Sequence, residues 1–185
     1  MFISYVKFMN PSFNEGAIHS QLYACFPANM GRILYKKEKI LKNNKIEIYA
    51  LVYSEKKPFS TPNVTISKST EVNVEFQEGM MLNFEIQLSP EFTTNGKRMP
   101  QKVAIKRIEY VQRKLSNAGL HLIDDAREIS SDVLRIKHST GDYLLHTYVY
   151  RGTVVVENAE KLKDAYMHGV GHHKAYGCGM LCLKR

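Results

Sequence analysis

The sequence predicts an α+β fold of two consecutive units, each an antiparallel sheet that carries its helices on one face. Alternating apolar residues indicate strands, and apolar residues spaced three or four apart indicate helices. By these criteria residues 1–79 contain a strand, a helix and three strands, and residues 80–185 keep this order and add a helix before a closing strand. The two halves share no visible sequence repeat, so element order alone predicts two tandem ferredoxin-like domains, 1–79 and 80–185.

The first predicted domain opens with a strand over residues 2–8. Ser12 and Glu15 then have the Ser-x-x-Glu spacing of a capping box, which predicts the start of a helix, and Pro27 predicts its end. The apolar residues of this helix fall on one face. Further strands are predicted over residues 32–41, 45–53 and 64–76.

The second predicted domain contains a long basic helix over residues 101–118, with Ile105, Ile108 and Leu115 among the residues expected to face the sheet. Arg151 and Gly152 predict a turn between two strands. The remaining elements are predicted strands over residues 81–88, 133–138, 143–150, 153–156 and 180–183, and a helix over residues 158–168.

Composition limits the compartment and the class of partner. The 185 residues include 26 Lys+Arg against 18 Asp+Glu, a formal net charge of +8, which indicates a polyanionic partner. No apolar run approaches the roughly 20 residues that span a bilayer, so we expect a cytoplasmic protein without a membrane partner. The odd number of widely separated cysteines indicates buried thiols and neither a disulfide framework nor a four-cysteine zinc site. They are Cys25, Cys178 and Cys182.

Most of the excess charge lies between Lys97 and Lys114, where seven basic residues accompany one acid, Glu109. A solvated helix face would normally alternate acids with bases at a spacing of four, and this segment does not. We therefore predict that the segment binds nucleic-acid phosphates. The predicted contact residues are Lys97 and Arg98 in the preceding loop, and Lys102, Lys106 and Arg113 on the side of the helix away from the sheet.

A glycine-rich segment near the C-terminus, residues 169–179, has the pattern G-x-G-x-x-K-x-x-G-x-G. Glycine lets a backbone approach a phosphate closely, and a lysine adds a positive charge. Dinucleotide and Walker motifs follow a strand and open a helix, whereas this segment follows a helix, so both are excluded. A helix cap with a tight turn is the alternative, but it does not account for the later glycines. The predicted phosphate contacts are Gly169, Gly171, His172, His173 and Lys174.

The same segment contains several residue types that bind metals. His168, His172, His173 and Cys178 lie close in sequence, but the glycines break any fixed spacing and no acidic ligand is near. We therefore predict neither a metal ion nor another cofactor.

The glycine-rich segment, continued as G-C-G-M-L, resembles the C-terminal loop of the CasE-type CRISPR-associated endoribonucleases, the type I-E repeat-processing family of the RAMP superfamily. Two other stretches agree with that family, Ile18-His19 to Phe26-Pro27 and Gln112 to Ala118. The resemblance implies tandem ferredoxin-like domains and metal-independent cleavage of precursor CRISPR RNA within its hairpin repeats. It also implies that the enzyme stays on the product as a subunit of the Cascade antiviral complex, with the repeat hairpin and other Cascade subunits as partners.

His19 matches the histidine that this family uses for catalysis. Cleavage of RNA without a metal needs a base for the 2′-hydroxyl, a cation for the phosphate and an acid for the 5′-oxygen, and it leaves a 2′,3′-cyclic phosphate and a 5′-hydroxyl. A histidine can take either proton-transfer role. Many relatives carry a tyrosine three residues earlier, where this chain has Gly16. Tyr23, one helical turn after His19, is the candidate replacement, and simple packing is its alternative role.

Two other functions compete with a metal-independent endoribonuclease. A non-catalytic relative that only holds an RNA hairpin in a ribonucleoprotein would keep the basic segment and the glycine-rich segment, and Gly16 favours it. A metal-dependent hydrolase would need carboxylate ligands that the sequence does not place together.

Overall fold

The computed structural model describes residues 1–9, 14–28, 30–137 and 141–185. Its first sheet is antiparallel, in the order β2-β3-β1-β4, and its second has the order β11-β5-β10-β8, with β9 pairing along another part of β10. The elements are β1 (Phe2–Phe8), α1 (Glu15–Tyr23), β2 (Leu34–Lys42), β3 (Lys45–Ser54), β4 (Val64–Glu71), β5 (Met81–Leu88), β6 (Glu91–Thr94), β7 (Lys97–Pro100), α2 (Ala104–Asn117), β8 (Leu120–Leu122), β9 (Arg127–Ile136), β10 (Tyr143–Val156), α3 (Ala159–His168) and β11 (Leu181–Lys184).

Both sheets have the strand order of a ferredoxin-like fold, in which the first strand lies between the third and the fourth. In the first sheet β1 lies between β3 and β4, and in the second β5 lies between β10 and β11. Helix α1 packs on the first sheet through Ile18 and Leu22, and α2 and α3 pack on the second through Leu115 and Leu162. The predicted fold class is therefore confirmed.

Helix α1 is shorter than the sequence predicts. It begins at Glu15 because the Asn14 side chain caps it, accepting a hydrogen bond from the Gly16 backbone N–H at 3.0 Å. Ser12 of the predicted capping box lies outside the described residues. The helix ends at Tyr23, before Pro27.

The predicted turn at Arg151 and Gly152 is wrong, because β10 runs unbroken for 14 residues through both positions. A Cβ atom added to Gly152 would lie 2.9 Å from the Phe84 ring of the neighbouring strand. This glycine therefore serves close packing within a strand and does not break it.

Ile105 also differs from its prediction, being 61% exposed. At 100° per residue it lies about 120° around the helix from the buried Val111, so it falls outside the face that meets the sheet. The apolar stripe of α2 is narrower than the sequence pattern indicates.

Strands β6 and β7 form a separate two-stranded hairpin where the sequence predicts a loop. Asn95 and Gly96 occupy its turn with φ values of 48° and 72°. Positive φ at both central residues is the requirement of a type I′ hairpin turn, and Asn-Gly is its preferred sequence. Lys97 and Arg98 consequently lie on a strand of this hairpin.

A shared apolar cluster joins the two sheets. Leu34 and Tyr53 from the first sheet pack with Tyr166 of α3 and Met180 beside β11, and the Tyr53 and Tyr166 rings lie 4.8 Å apart. Lys36 of β2 also forms an ion pair with Glu85 of β5. These contacts hold the end of α3 and the segment that follows it against the first sheet.

Several other positions are structural. Tyr150 is fully buried, and Arg107 lies over the Tyr148 ring at 4.4 Å while it donates two hydrogen bonds to Glu128.

Cys25 and Cys178 are buried and Cys182 is half-buried. Within the described ranges, no helix is long and apolar enough to cross a membrane.

Candidate functional site

His19 lies on α1 beside the buried stripe and is half-buried. Its ring contacts that of Tyr23, one turn later, with centroids 4.1 Å apart and planes tilted by 40°. Burial lowers the pKa of His19 below its ordinary value. The imidazole is therefore mainly neutral at pH 7 and able to accept a proton.

The start of α1 is held by polar contacts. Glu15, in the first turn, is buried and paired with Lys37 of β2. At Gly16 a Cβ atom would lie 3.9 Å from the Lys137 carbonyl oxygen and 3.5 Å from Asn14 Oδ1, both ordinary contact distances. The helix therefore does not require glycine at this position, and its first turn lies beside the end of β9.

Residues 169–179, which we call the glycine loop, follow α3 and lead into β11. Its four glycines all have positive φ values, and a Cβ atom at Gly179 would lie 2.3 Å from the Val170 carbonyl oxygen. At Gly169 it would lie 2.6 Å from the Leu34 side chain. Backbone conformation and tight packing therefore account for the later glycines as well as the earlier ones.

The glycine loop lies against the first sheet and against α1. The Tyr35 hydroxyl donates a hydrogen bond to the Ala175 carbonyl oxygen at 2.9 Å. The 3₁₀ turn Lys174–Tyr176 packs against α1. The structure thus brings the helix that carries His19 together with the segment that carries Lys174.

Cations from four segments of the chain act electrostatically on the glycine loop, and with the loop's own side chains we call them the basic surface: Arg32, Arg98, Lys114, His172 and Lys174. The pKa of Lys174 is lowered by burial and by the charges of Arg32 and Lys114, which together outweigh the opposing charge of Asp164. The pKa of His172 is likewise lowered by burial and by Arg98 and Lys114. Within the described part of the chain, Arg32, Arg98 and Lys114 form no ion pair. Such a concentration of unpaired positive charge suits a phosphate group.

Other predicted contacts lie on the hairpin and along α2. Lys97 and Lys102 are exposed, and Lys106 is paired with Glu109 at 2.8 Å. Arg113 lies over the Tyr110 ring, 5.6 Å from its centroid, next to Lys114 in sequence. These residues add positive charge on the hairpin and α2 to that of the basic surface.

The histidines at the end of α3 and in the glycine loop have different partners. His173 Nε2 lies 3.0 Å from Glu91 Oε1 of β6, and His168 Nδ1 lies 2.9 Å from Asp164 Oδ1. His172 is exposed. A search of the described ranges finds no group of three or more His, Cys, Asp or Glu side chains placed to hold a metal ion.

Sequence analysis missed three residues of the site. Lys114 could have been included, because it is adjacent to Arg113 in the segment that resembles the family. Arg32 and Glu91 carry no local signal, since they are isolated in sequence and reach the glycine loop only through packing.

The comparisons with known proteins show the family of this chain. A family model described as CRISPR associated protein matches residues 10–185. The Escherichia coli (strain K12) CRISPR system Cascade subunit CasE is 30% identical to this chain, over 90% of the chain and 89% of that protein.

Solved structures of related proteins have the same fold. The crystal structure of Cas6e from Escherichia coli K-12 has a TM-score of 0.84 and 25% identity, covering 99% of this chain and 98% of that one. Thermus thermophilus Cse3 bound to an RNA representing a pre-cleavage complex has a TM-score of 0.82 and 17% identity, covering 100% and 99%. The chain belongs to the CRISPR-associated protein family and is of the CasE type.

Proposed function

We propose that this chain is a metal-independent endoribonuclease that binds the hairpin of CRISPR repeats, cleaves precursor CRISPR RNA and remains on the product as a subunit of a Cascade complex in the cytoplasm. The observation that carries this proposal is the packing of the helix that bears His19 against the cation-lined glycine loop. The relatives support it, because the Escherichia coli protein is a Cascade subunit and the Thermus thermophilus protein binds RNA.

In this proposal His19 acts as the base. Its lowered pKa leaves a neutral imidazole that accepts the 2′-hydroxyl proton as the oxygen attacks phosphorus. Lys174, whose pKa is lowered by burial and by the charges of Arg32 and Lys114, offsets the charge that develops on the phosphate. The 5′-oxygen takes a proton from water as its bond to phosphorus breaks, and the products carry a 2′,3′-cyclic phosphate and a 5′-hydroxyl.

We assign RNA binding to the basic surface and to the other predicted cations on the β6–β7 hairpin, at the start of α2 and along it. The charge of these residues comes from Arg32 before β2, the β6–β7 hairpin, α2 and the glycine loop, and it favours the phosphates of an A-form stem, whose deep major groove limits reading of the bases. The contacts proposed from sequence are Lys97, Arg98, Lys102, Lys106, Arg113, Gly169, Gly171, His172, His173 and Lys174, to which the structure adds Arg32 and Lys114.

The direct test is cleavage of a labelled repeat hairpin in the presence of EDTA. We expect cleavage at one position, with a 2′,3′-cyclic phosphate on the upstream product, because His19 and Lys174 supply the proton transfer and the charge. Binding of the hairpin without cleavage would favour the non-catalytic alternative, to which Gly16 points. Cleavage that EDTA abolishes would contradict the metal-independent mechanism.

Tyr23 is proposed as a positioning residue, since its ring lies against the His19 imidazole. Tyr23→Phe keeps the ring and should retain the cleavage rate within about twofold, whereas Tyr23→Ala should lower it about tenfold through loss of the ring contact. Single-turnover rates at saturating RNA measure both. If the phenylalanine variant were as slow as the alanine variant, the hydroxyl would instead contact the reacting phosphate.

A further inference from the structure

Glu91 and His173 join two segments that are far apart in sequence. Glu91 lies at the base of the β6–β7 hairpin and His173 in the glycine loop, with Oε1 and Nε2 3.0 Å apart. Both side chains are largely withdrawn from solvent, with exposures of 18% and 16%. This hydrogen bond ties the hairpin to the loop.

The pair is held at an energetic cost. Glu91 Oε2 is buried and has no hydrogen-bond partner among the described residues. His173 has a φ of 58°, in the left-handed region that a non-glycine residue seldom adopts. A buried acceptor without a partner and a strained backbone both oppose folding. Because the contact between Glu91 and His173 carries both of these costs, we infer that it has a functional role.

The backbone of His173 organises the glycine loop around it. Its carbonyl oxygen accepts hydrogen bonds from the N–H groups of Tyr176 at 2.9 Å and Cys178 at 3.4 Å. Its neighbours in sequence, His172 and Lys174, belong to the basic surface. The position of His173 therefore sets the positions of two proposed phosphate contacts.

The hairpin depends on contacts outside itself. A two-stranded ribbon is only marginally stable in water, and this one belongs to neither large sheet. A backbone hydrogen bond from the Gln101 N–H to the Pro90 carbonyl oxygen, 2.9 Å long, closes its base. Its strand β7 carries Arg98, whose charge acts on His172. The two segments thus meet both at Glu91 and at the basic surface.

We propose that Glu91 is a positioning residue that, through His173, holds the β6–β7 hairpin and the glycine loop together as one RNA-binding surface. The proposal rests on the proposed function, because RNA is the ligand of that surface. It predicts that removal of the Glu91 carboxylate changes RNA affinity in the direction opposite to the one that charge repulsion alone would give. A carboxylate beside a phosphate site repels RNA, so its removal should tighten binding if charge alone matters and weaken binding if Glu91 positions the surface.

The test measures equilibrium binding of the repeat hairpin by Glu91→Ala and His173→Asn. Asparagine tolerates the left-handed backbone but is too short to reach Glu91. Each change should weaken binding about tenfold, and the double variant should bind no more weakly than either single variant. Glu91→Gln keeps an acceptor oxygen and should recover most of the affinity.

Glu109→Ala is the matched control. It removes an exposed acid from the same basic segment, where it pairs with Lys106 of the same helix. Its affinity should be equal to that of the original protein or higher. The proposal is overturned if Glu91→Ala binds RNA as tightly as the original protein or more tightly, or if the losses of the two single variants multiply in the double variant.

A measurement without RNA separates this inference from the proposed function. In the free protein, amide hydrogen exchange of residues 171–179 should accelerate in Glu91→Ala and return towards the original rate in Glu91→Gln, with both sheets unchanged. Unchanged exchange in Glu91→Ala would refute the positioning role. If the original protein does not bind the repeat hairpin, the proposed function fails, and the exchange result still decides whether Glu91 holds the loop.

Discussion

Replacing His19 with alanine should lower the rate of repeat cleavage about a thousandfold or more while leaving affinity for the hairpin within about twofold. The imidazole is the proposed base, and the basic surface that holds the phosphates does not include it. Single-turnover cleavage and equilibrium binding of the same labelled hairpin measure the two effects separately. His121→Ala, which removes an exposed histidine on β8, is the control and should cleave normally.

The pH dependence follows from the direction of the His19 pKa shift. Because burial lowers this pKa below about 6.5, the rate of the original protein should rise with pH through the pKa and become level above it. An acid role for His19 would give the opposite slope. A His19→Ala protein that still cleaves at the original rate would refute the catalytic assignment.

Binding of the repeat hairpin should weaken steeply with salt, about 10²–10³-fold between roughly 50 and 200 mM, if about five cations contact phosphates. The reason is the release of counterions from the RNA when Arg32, Arg98, Lys114 and Lys174 approach it. Lys114→Ala and Lys174→Ala should each weaken binding and reduce the slope of log K against log salt by about 1.

Lys68→Ala tests whether this effect is local. Lys68 is exposed on β4, at the edge of the first sheet opposite β2, so its removal should leave both affinity and slope unchanged. A salt slope near zero for the original protein would show that the basic surface is not the RNA site. Equal losses of RNA affinity in Lys68→Ala and Lys174→Ala would show the same.

The order of strands and helices could be predicted from the sequence because it depends on local periodicity. A loop is predicted where β6 and β7 lie, although Asn95-Gly96 matches the backbone that a short hairpin turn requires and could have indicated the hairpin. The unbroken course of β10 was not predictable, because Gly152 is explained only by the Phe84 ring on the next strand.

In the candidate site, too, some residues could be predicted from local sequence and others depend on tertiary packing. His19 and Lys174 were predictable because they belong to recognisable stretches of the chain. The approach of Arg32 to Lys174, about 140 residues later, depends on the apolar cluster of Leu34, Tyr53, Tyr166 and Met180 that joins the two sheets. Contacts of this kind follow from tertiary packing, and no pattern within a short window of sequence reports them.

The apolar cluster between the sheets also has a consequence for synthesis of the protein. The helix with His19 leaves the ribosome about 150 residues before the glycine loop. Because the cluster needs Tyr166 and Met180, the loop cannot dock on the first sheet until both have emerged. A nascent chain that lacks the glycine loop therefore carries the proposed base without Lys174, and cleavage has to wait until this segment has emerged and docked.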